Sequence, residues 1–146
     1  MKIKTLIAIY VMALAFMSCK KDPVKGCKTS YATNYNSSAE EDDGSCTYES
    51  KVIFWQNQTN SASLVSQGVT SLTFYVDGSV IGSCAASVYN TSAPTCSGSG
   101  AASVTKSLGN SSSKSFSYSV KDQTGQEIYG GNMTLDGSNC TIYKLN

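Results

Sequence analysis

Six cysteines and a complete lack of histidine set the chemistry open to this chain. Histidine is the commonest general base and metal ligand at neutral pH. Without it, Ser-His-Asp and Cys-His nucleophile constellations cannot be built. Arginine is also absent, so the rigid guanidinium fork that reads phosphates and base edges is missing, and no nucleic-acid partner is expected. The cysteines include no Cys-x-x-Cys pair and have no histidine beside them, so they do not read as a zinc site. Paired carboxylates remain a formal route to acid–base hydrolysis. The acidic cluster Glu40-Glu41-Asp42-Asp43, however, lies in a small polar loop with little cover from water. Asp77, Asp122 and Asp136 each stand beside turn residues, where aspartate serves the backbone. The expectation is a non-catalytic protein with no metal or cofactor.

The first cysteine has a distinctive approach. Met1-Lys2-Ile3-Lys4 is a short basic segment, and Leu6 to Met17 is apolar apart from Tyr10. A run of about 12 residues is too short to span a bilayer, which takes roughly 20, and behind lysines it reads as an export signal. It ends Phe16-Met17-Ser18-Cys19. A small residue directly before a cysteine at that point resembles the lipobox of bacterial lipoproteins, although Phe16 and Met17 depart from the Leu and Ala/Ser usual at those places. The resemblance implies cleavage after residue 18, acylation of the Cys19 thiol by palmitate-type chains, and anchoring in the cell envelope. The expected site is the outer membrane, facing either the periplasm or the surface. Each buried methylene contributes about 0.8 kcal/mol, and two or more chains hold stably. Residues 1–18 are then the signal peptide and 19–26 a short charged tether.

Five cysteines follow, and export places them in an oxidising compartment where disulfides are the default. Cys27 and Cys46 bracket a polar stretch that cannot bury enough surface to fold unaided. Closing a loop of about 20 residues stabilises it by roughly 3 kcal/mol, so these two are expected to pair. Among Cys84, Cys96 and Cys140 two pairings stay open. Cys96 with Cys140 would tie a long loop to the last strand, and Cys84 with Cys96 would close a shorter one. Either leaves one thiol over.

Residues 27–48 contain Ala32-x-Asn34-Tyr35-Asn36 and then Asp42-Asp43-Gly44-Ser45-Cys46. This spacing resembles a cysteine-bracketed module of surface and secreted proteins in Bacteroidetes-type bacteria. That resemblance implies a compact disulfide loop ahead of another domain. Clustered Asp and Asn also suggest calcium ligands, but adjacent Asp42 and Asp43 lack the alternation of an EF-hand loop, and a solvated turn closed at Gly44 accounts for them.

The elements that would position any site occupy residues 51–146. Serine and threonine are dense there, and no 3.6-residue apolar period appears; short alternating runs do. Lys51–Trp55 is the first. Leu72, Phe74 and Val76 alternate with Thr73 and Tyr75, and Asp77-Gly78 is a type I′ hairpin signal returning through Ser79–Ile81. Ser103–Leu108 follows. Phe116, Tyr118 and Val120 alternate with serines, a one-face-buried pattern. Turns at Asp122–Gly125 and Asp136–Asn139 lead into Gln126–Leu135 and Cys140–Leu145. About seven strands with frequent turns predict an all-β antiparallel sandwich.

Phe54-Trp55, Val76-Asp77-Gly78, Pro94-Thr95-Cys96, Phe116 to Tyr118 and the late Cys140 together resemble a domain of the same lipoproteins. The resemblance implies an Ig- or transthyretin-like sandwich without assigned activity. It also implies the pairing Cys96–Cys140, which would leave Cys84 free. Nine tyrosines and Trp55 raise the question of sugar stacking, but tyrosine suits strands intrinsically. Tyr89, in the long segment from Cys84 to Gly100, is the candidate ligand-loop residue, because loops carry recognition. Asn-x-Ser/Thr triplets such as Asn57-Gln58-Thr59 read as products of a Ser/Thr/Asn-rich surface in a bacterial chain. The function expected is a lipid-anchored surface or envelope protein with a structural or interaction role. The alternative is a glycan- or protein-binding adhesin module.

Overall fold

The computed structural model describes residues 21–146, so the signal segment and Cys19 lie outside the described residues. Two very short strands pair in parallel, β1 (Lys25–Gly26) just before the first disulfide loop and β2 (Glu41–Asp42) within it. Seven longer strands follow: β3 (Tyr48–Trp55), β4 (Ser71–Val76), β5 (Ser79–Ala85), β6 (Ala102–Gly109), β7 (Ser113–Lys121), β8 (Glu127–Asp136) and β9 (Thr141–Lys144). They form a three-stranded sheet, β6-β3-β9, and a four-stranded sheet, β5-β4-β7-β8. The fold is all-β, a sandwich of these two sheets.

Period-2 alternation explains the core. Leu72, Phe74 and Val76 of β4 are fully buried, as is Val120 of β7, and their neighbours of opposite parity face outward. Phe54 of β3 is the hub. Its ring lies 5.7 Å from Phe74, 5.7 Å from Tyr118 and 5.6 Å from Tyr143, so one side chain touches rings from both sheets. Such tilted contacts add to area burial.

Two features depart from the sequence expectation. First, β9 runs parallel to β3, with Val52 opposite Thr141 and Trp55 opposite Lys144, so the three-stranded sheet is mixed. The Asp136–Asn139 turn does not close a hairpin. It carries the chain across to the other sheet, braced by Gly137 N donating to Ser112 O at 2.8 Å and Ser50 Oγ donating to Asn139 O at 2.8 Å. A strand that changes sheet is freed from the antiparallel rule of a tight turn. Second, a helix, α1 (Gln58–Ser66), joins β3 to β4. Asn57 caps it, its side chain accepting from Asn60 N at 3.0 Å. Gly68, at φ +84°, follows its end. Only Ser61 and Leu64 of α1 are buried, so a nine-residue helix with one apolar contact leaves no helical period to read.

Candidate functional site

The segment from Ala86 to Ala101 is long and irregular, yet it is pinned at many points. Gln56, fully buried at the end of β3, donates through Nε2 to Ala86 O at 2.9 Å and to Val88 O at 2.8 Å. Its Oε1 accepts from Asn60 Nδ2 at 3.1 Å, and its backbone carbonyl accepts from Asn90 N at 3.0 Å. Ser61 Oγ of α1 adds a bond to Ala86 O at 2.8 Å. One buried carboxamide thus ties strand, helix and loop together with all its polar atoms engaged.

Further along, the loop lies over the outer face of β3. Ile53 points away from the core formed by Val52 and Phe54, yet it is completely buried. Gly100 explains this: a Cβ there would stand 2.6 Å from Ile53 Cγ2, so only glycine allows the backbone to lie so close. Ala101 N donates to Phe54 O at 2.7 Å, and Lys51 Nζ donates to Cys96 O at 3.1 Å. The Cys96–Cys140 disulfide, with Cα atoms 5.9 Å apart, fastens the loop to the residue preceding β9. What this scaffold presents to solvent is Val88 and Tyr89, each 42% exposed. The predicted loop residue therefore sits on a surface held by hydrogen bonds and a cross-link. Trp55 stands elsewhere, half-buried, with Lys144 Nζ 5.7 Å from its ring centre.

The N-terminal module is built by backbone capture. Cys27 and Cys46 are bonded, with Cα atoms 4.8 Å apart. Asn34 donates to Ser45 O at 2.7 Å and accepts from Thr47 N at 2.8 Å. Asn36 Oδ1 accepts from Ser38 N at 3.0 Å. Asp42 Oδ1 accepts from Gly44 N at 2.9 Å and Asp43 Oδ1 from Ser45 N at 3.0 Å. The Ser45 hydroxyl and backbone hold the Asp43 carboxyl below its ordinary value. The Asn-Tyr-Asn and Asp-Asp-Gly-Ser spacing therefore has a mechanical reason: Asn36, Asp42 and Asp43 each close a turn, and Asn34 ties the segment across to Ser45 and Thr47. Among the described residues no three Cys, Asp or Glu side chains are grouped to hold a metal ion.

The turn aspartates of the sandwich do similar work. Asp122 Oδ1 accepts from the backbone of Thr124 and Gln126, and Asp136 Oδ1 from Ser138 N. Both carboxyls are held low, first by the hydroxyls of Thr124 and Ser138 respectively. Asp77, at φ +48°, and Gly78, at +72°, make the turn expected between β4 and β5, and Asp77 also accepts from Ser117 N at 3.1 Å. None of these acids converges on another.

Cys84 is the free cysteine among the described residues. It lies opposite Leu72 on the inner face of edge strand β5 and is packed against the core. Burial pushes its thiol up, which keeps it in the unreactive form. Sequence reasoning did not single out Gln56 or Glu127. Gln56 follows Phe54-Trp55 and carries no pattern of its own. Glu127 is one residue from a predicted turn; it acquires surroundings only when β8 lies beside β7. Compared with known proteins, the chain matches no family model, no curated protein and no solved structure.

Proposed function

We propose that this protein is a non-catalytic lipoprotein of the bacterial cell envelope. On this reading it is anchored through acyl chains on Cys19 and exposes a disulfide-stabilised β-sandwich for a structural or interaction role. The observation that carries the reading is the basic, apolar run closed by Ser18-Cys19. Support comes from the two disulfides, which suit an oxidising compartment, and from carboxylates bound into their own turns rather than aimed at a shared cleft. The resemblance of residues 27–48 and 51–146 to Bacteroidetes-type surface proteins belongs to the same proposal. Metabolic labelling with an alkyne fatty acid tests it directly. The wild-type chain takes up label and Cys19→Ser does not; equal labelling of both, or of neither, refutes the anchor.

A second reading has its own observation. Val88 and Tyr89 are exposed side by side on a loop that hydrogen bonds to Gln56, Ser61, Lys51 and Phe54 and a disulfide hold in place. A preorganised exposed tyrosine loses little freedom on binding, which favours an adhesin module that takes a glycan or protein at that loop.

A further inference from the structure

The outer surface of the four-stranded sheet carries a feature that neither reading uses. Gly130 and Gly131 fall in the middle of β8 opposite Ser119 and Tyr118. Mid-strand glycine weakens a strand and often marks close approach by another group. At Gly130 that group is Glu127: a Cβ at Gly130 would stand 2.8 Å from Glu127 Cδ. The glutamate therefore folds flat onto its own strand, into the notch that the glycine leaves. A bulge between Val120 and Lys121, where β7 passes Glu127, allows the turn back. Among the described residues the Glu127 carboxylate takes part in no salt bridge; the ion pair found among them joins Lys25 to Glu41 in the N-terminal module.

Glu127 borders two open depressions. One, of 380 Å³, includes Ser117, Ser119 and Gly131. The other, of 330 Å³, runs past Gln67, Asp122 and Gln126 towards Val69 and Ile128. The chemistry of the walls narrows the ligand. No lysine lines either depression, so a phosphate or other anion has nothing to meet. Hydroxyls, carboxamides and the carboxylates of Glu127 and Asp122 disfavour an apolar ligand, whose burial would strand them without partners. Carboxylates and carboxamides that accept from neighbouring hydroxyls, serines that donate or accept, and a partly exposed apolar edge at Val69 and Ile128 match a molecule with hydroxyls around a C–H face.

We propose that the Glu127 groove binds a neutral saccharide chain, with the carboxylate accepting hydrogen bonds from adjacent sugar hydroxyls. Being open, the groove takes an internal stretch of the chain and not only its end. The site is separate from the Tyr89 loop and does not depend on the lipid anchor.

The test uses the full-length exported protein, extracted in detergent with its disulfides formed and ¹⁵N-labelled. Cellohexaose, xylohexaose and mannohexaose are titrated separately, with calcium chloride and spermine as cationic controls. At least one hexasaccharide is expected to shift the amide signals of Ser117, Ser119, Glu127 and Gly131. Glu127→Ala should weaken that binding about tenfold or more, as expected for loss of hydrogen bonds to a charged acceptor. Ser119→Tyr, which suits a strand and fills the groove, should abolish it. Glu127 is exposed and Ser119 half-buried, and unchanged amide spectra elsewhere verify the fold. The proposal is overturned if no hexasaccharide binds, if the cations alone give the shifts, or if binding survives both variants. Binding lost only in Tyr89→Ala would also overturn it and move the site to the loop.

Discussion

Replacing Cys96 and Cys140 together with serine asks how much the loop over β3 depends on its cross-link. The bridge joins residues separated by 44 positions. Restoring that much freedom to the unfolded chain costs about 4 kcal/mol of stability on the loop-closure relation. Cys96 is exposed and Cys140 half-buried, so serine opens no cavity at either place and the entropic part dominates. The loop does not simply detach, because Gln56 and Asn90 hold its first half and Ala101 N holds its end. The folded structure therefore persists while the unfolded state gains. In urea, with a slope of about 2 kcal/mol per molar, the midpoint should fall by roughly 2 M. The slope itself should change little in the native limb, and Ile53 should stay buried by amide exchange. A midpoint shift below about 0.5 M would refute the reasoning, because the unfolded chain would then gain little from release of the bridge. Rapid exchange of the Ile53 amide without loss of global stability would refute it differently, by showing that the disulfide alone holds the loop in place.

Gln56→Ala should cost roughly 2–4 kcal/mol, since it leaves the Ala86 and Val88 carbonyls without the donor that satisfies them. Urea unfolding measures the loss, and faster amide exchange at Asn90 locates it. Stability should also fall in acid: Asp43, Asp122 and Asp136 all have carboxyls held below the ordinary 3.8, so their contribution is complete above that value and is lost as the pH drops through the depressed native range. Carbonyl ¹³C titration of these three residues should place each midpoint below 3.8, and a midpoint at or above it would contradict the turn geometry.

The strands were legible wherever one face of a sheet is buried and the other wet. Leu72-Thr73-Phe74-Tyr75-Val76 and Phe116 to Val120 show the alternation directly, and Asp77-Gly78 marks the turn between two paired strands. The run Val52-Ile53-Phe54 hides its parity, because both faces of β3 are covered: one by the four-stranded sheet and one by a loop more than 30 positions later. That cover is tertiary and leaves no local trace except Gly100. The direction of β9 was equally invisible, since Asp136-Gly137-Ser138-Asn139 reads like any turn whether it closes a hairpin or crosses between sheets. Helix α1 did leave signals, Asn57 before it and Gly68 after it, but they bracket a serine-rich segment with one buried leucine. At the candidate site, Tyr89 was legible as a loop residue. The Gln56 pin and the Glu127 notch were not, because each depends on partners brought together by the sheets.

The strand edges bear on where such a protein meets its partners. Under the proposed Cys19 anchor, chains would be concentrated in two dimensions, and an open sheet edge would then recruit neighbours. Each edge here is blunted by a different device. On β6, Lys106 sits opposite buried Ser50 and reaches within 5.4 Å of the Phe116 ring, an inward-pointing charge. The edge strand β9 has only four residues and ends in Lys144. β8 carries Gly130 and Gly131, the latter at φ +157°, in mid-strand, and β5 is bulged between its pairs with Phe74 and Tyr75. Backbone pairing is thereby discouraged on all four sides, which leaves side-chain surfaces to carry recognition. The surfaces that remain are the Tyr89 loop over one sheet and the serine-lined face of the other. They lie on different elements and are held by different contacts, so the two proposed binding surfaces can be tested independently of each other and of the proposed anchor.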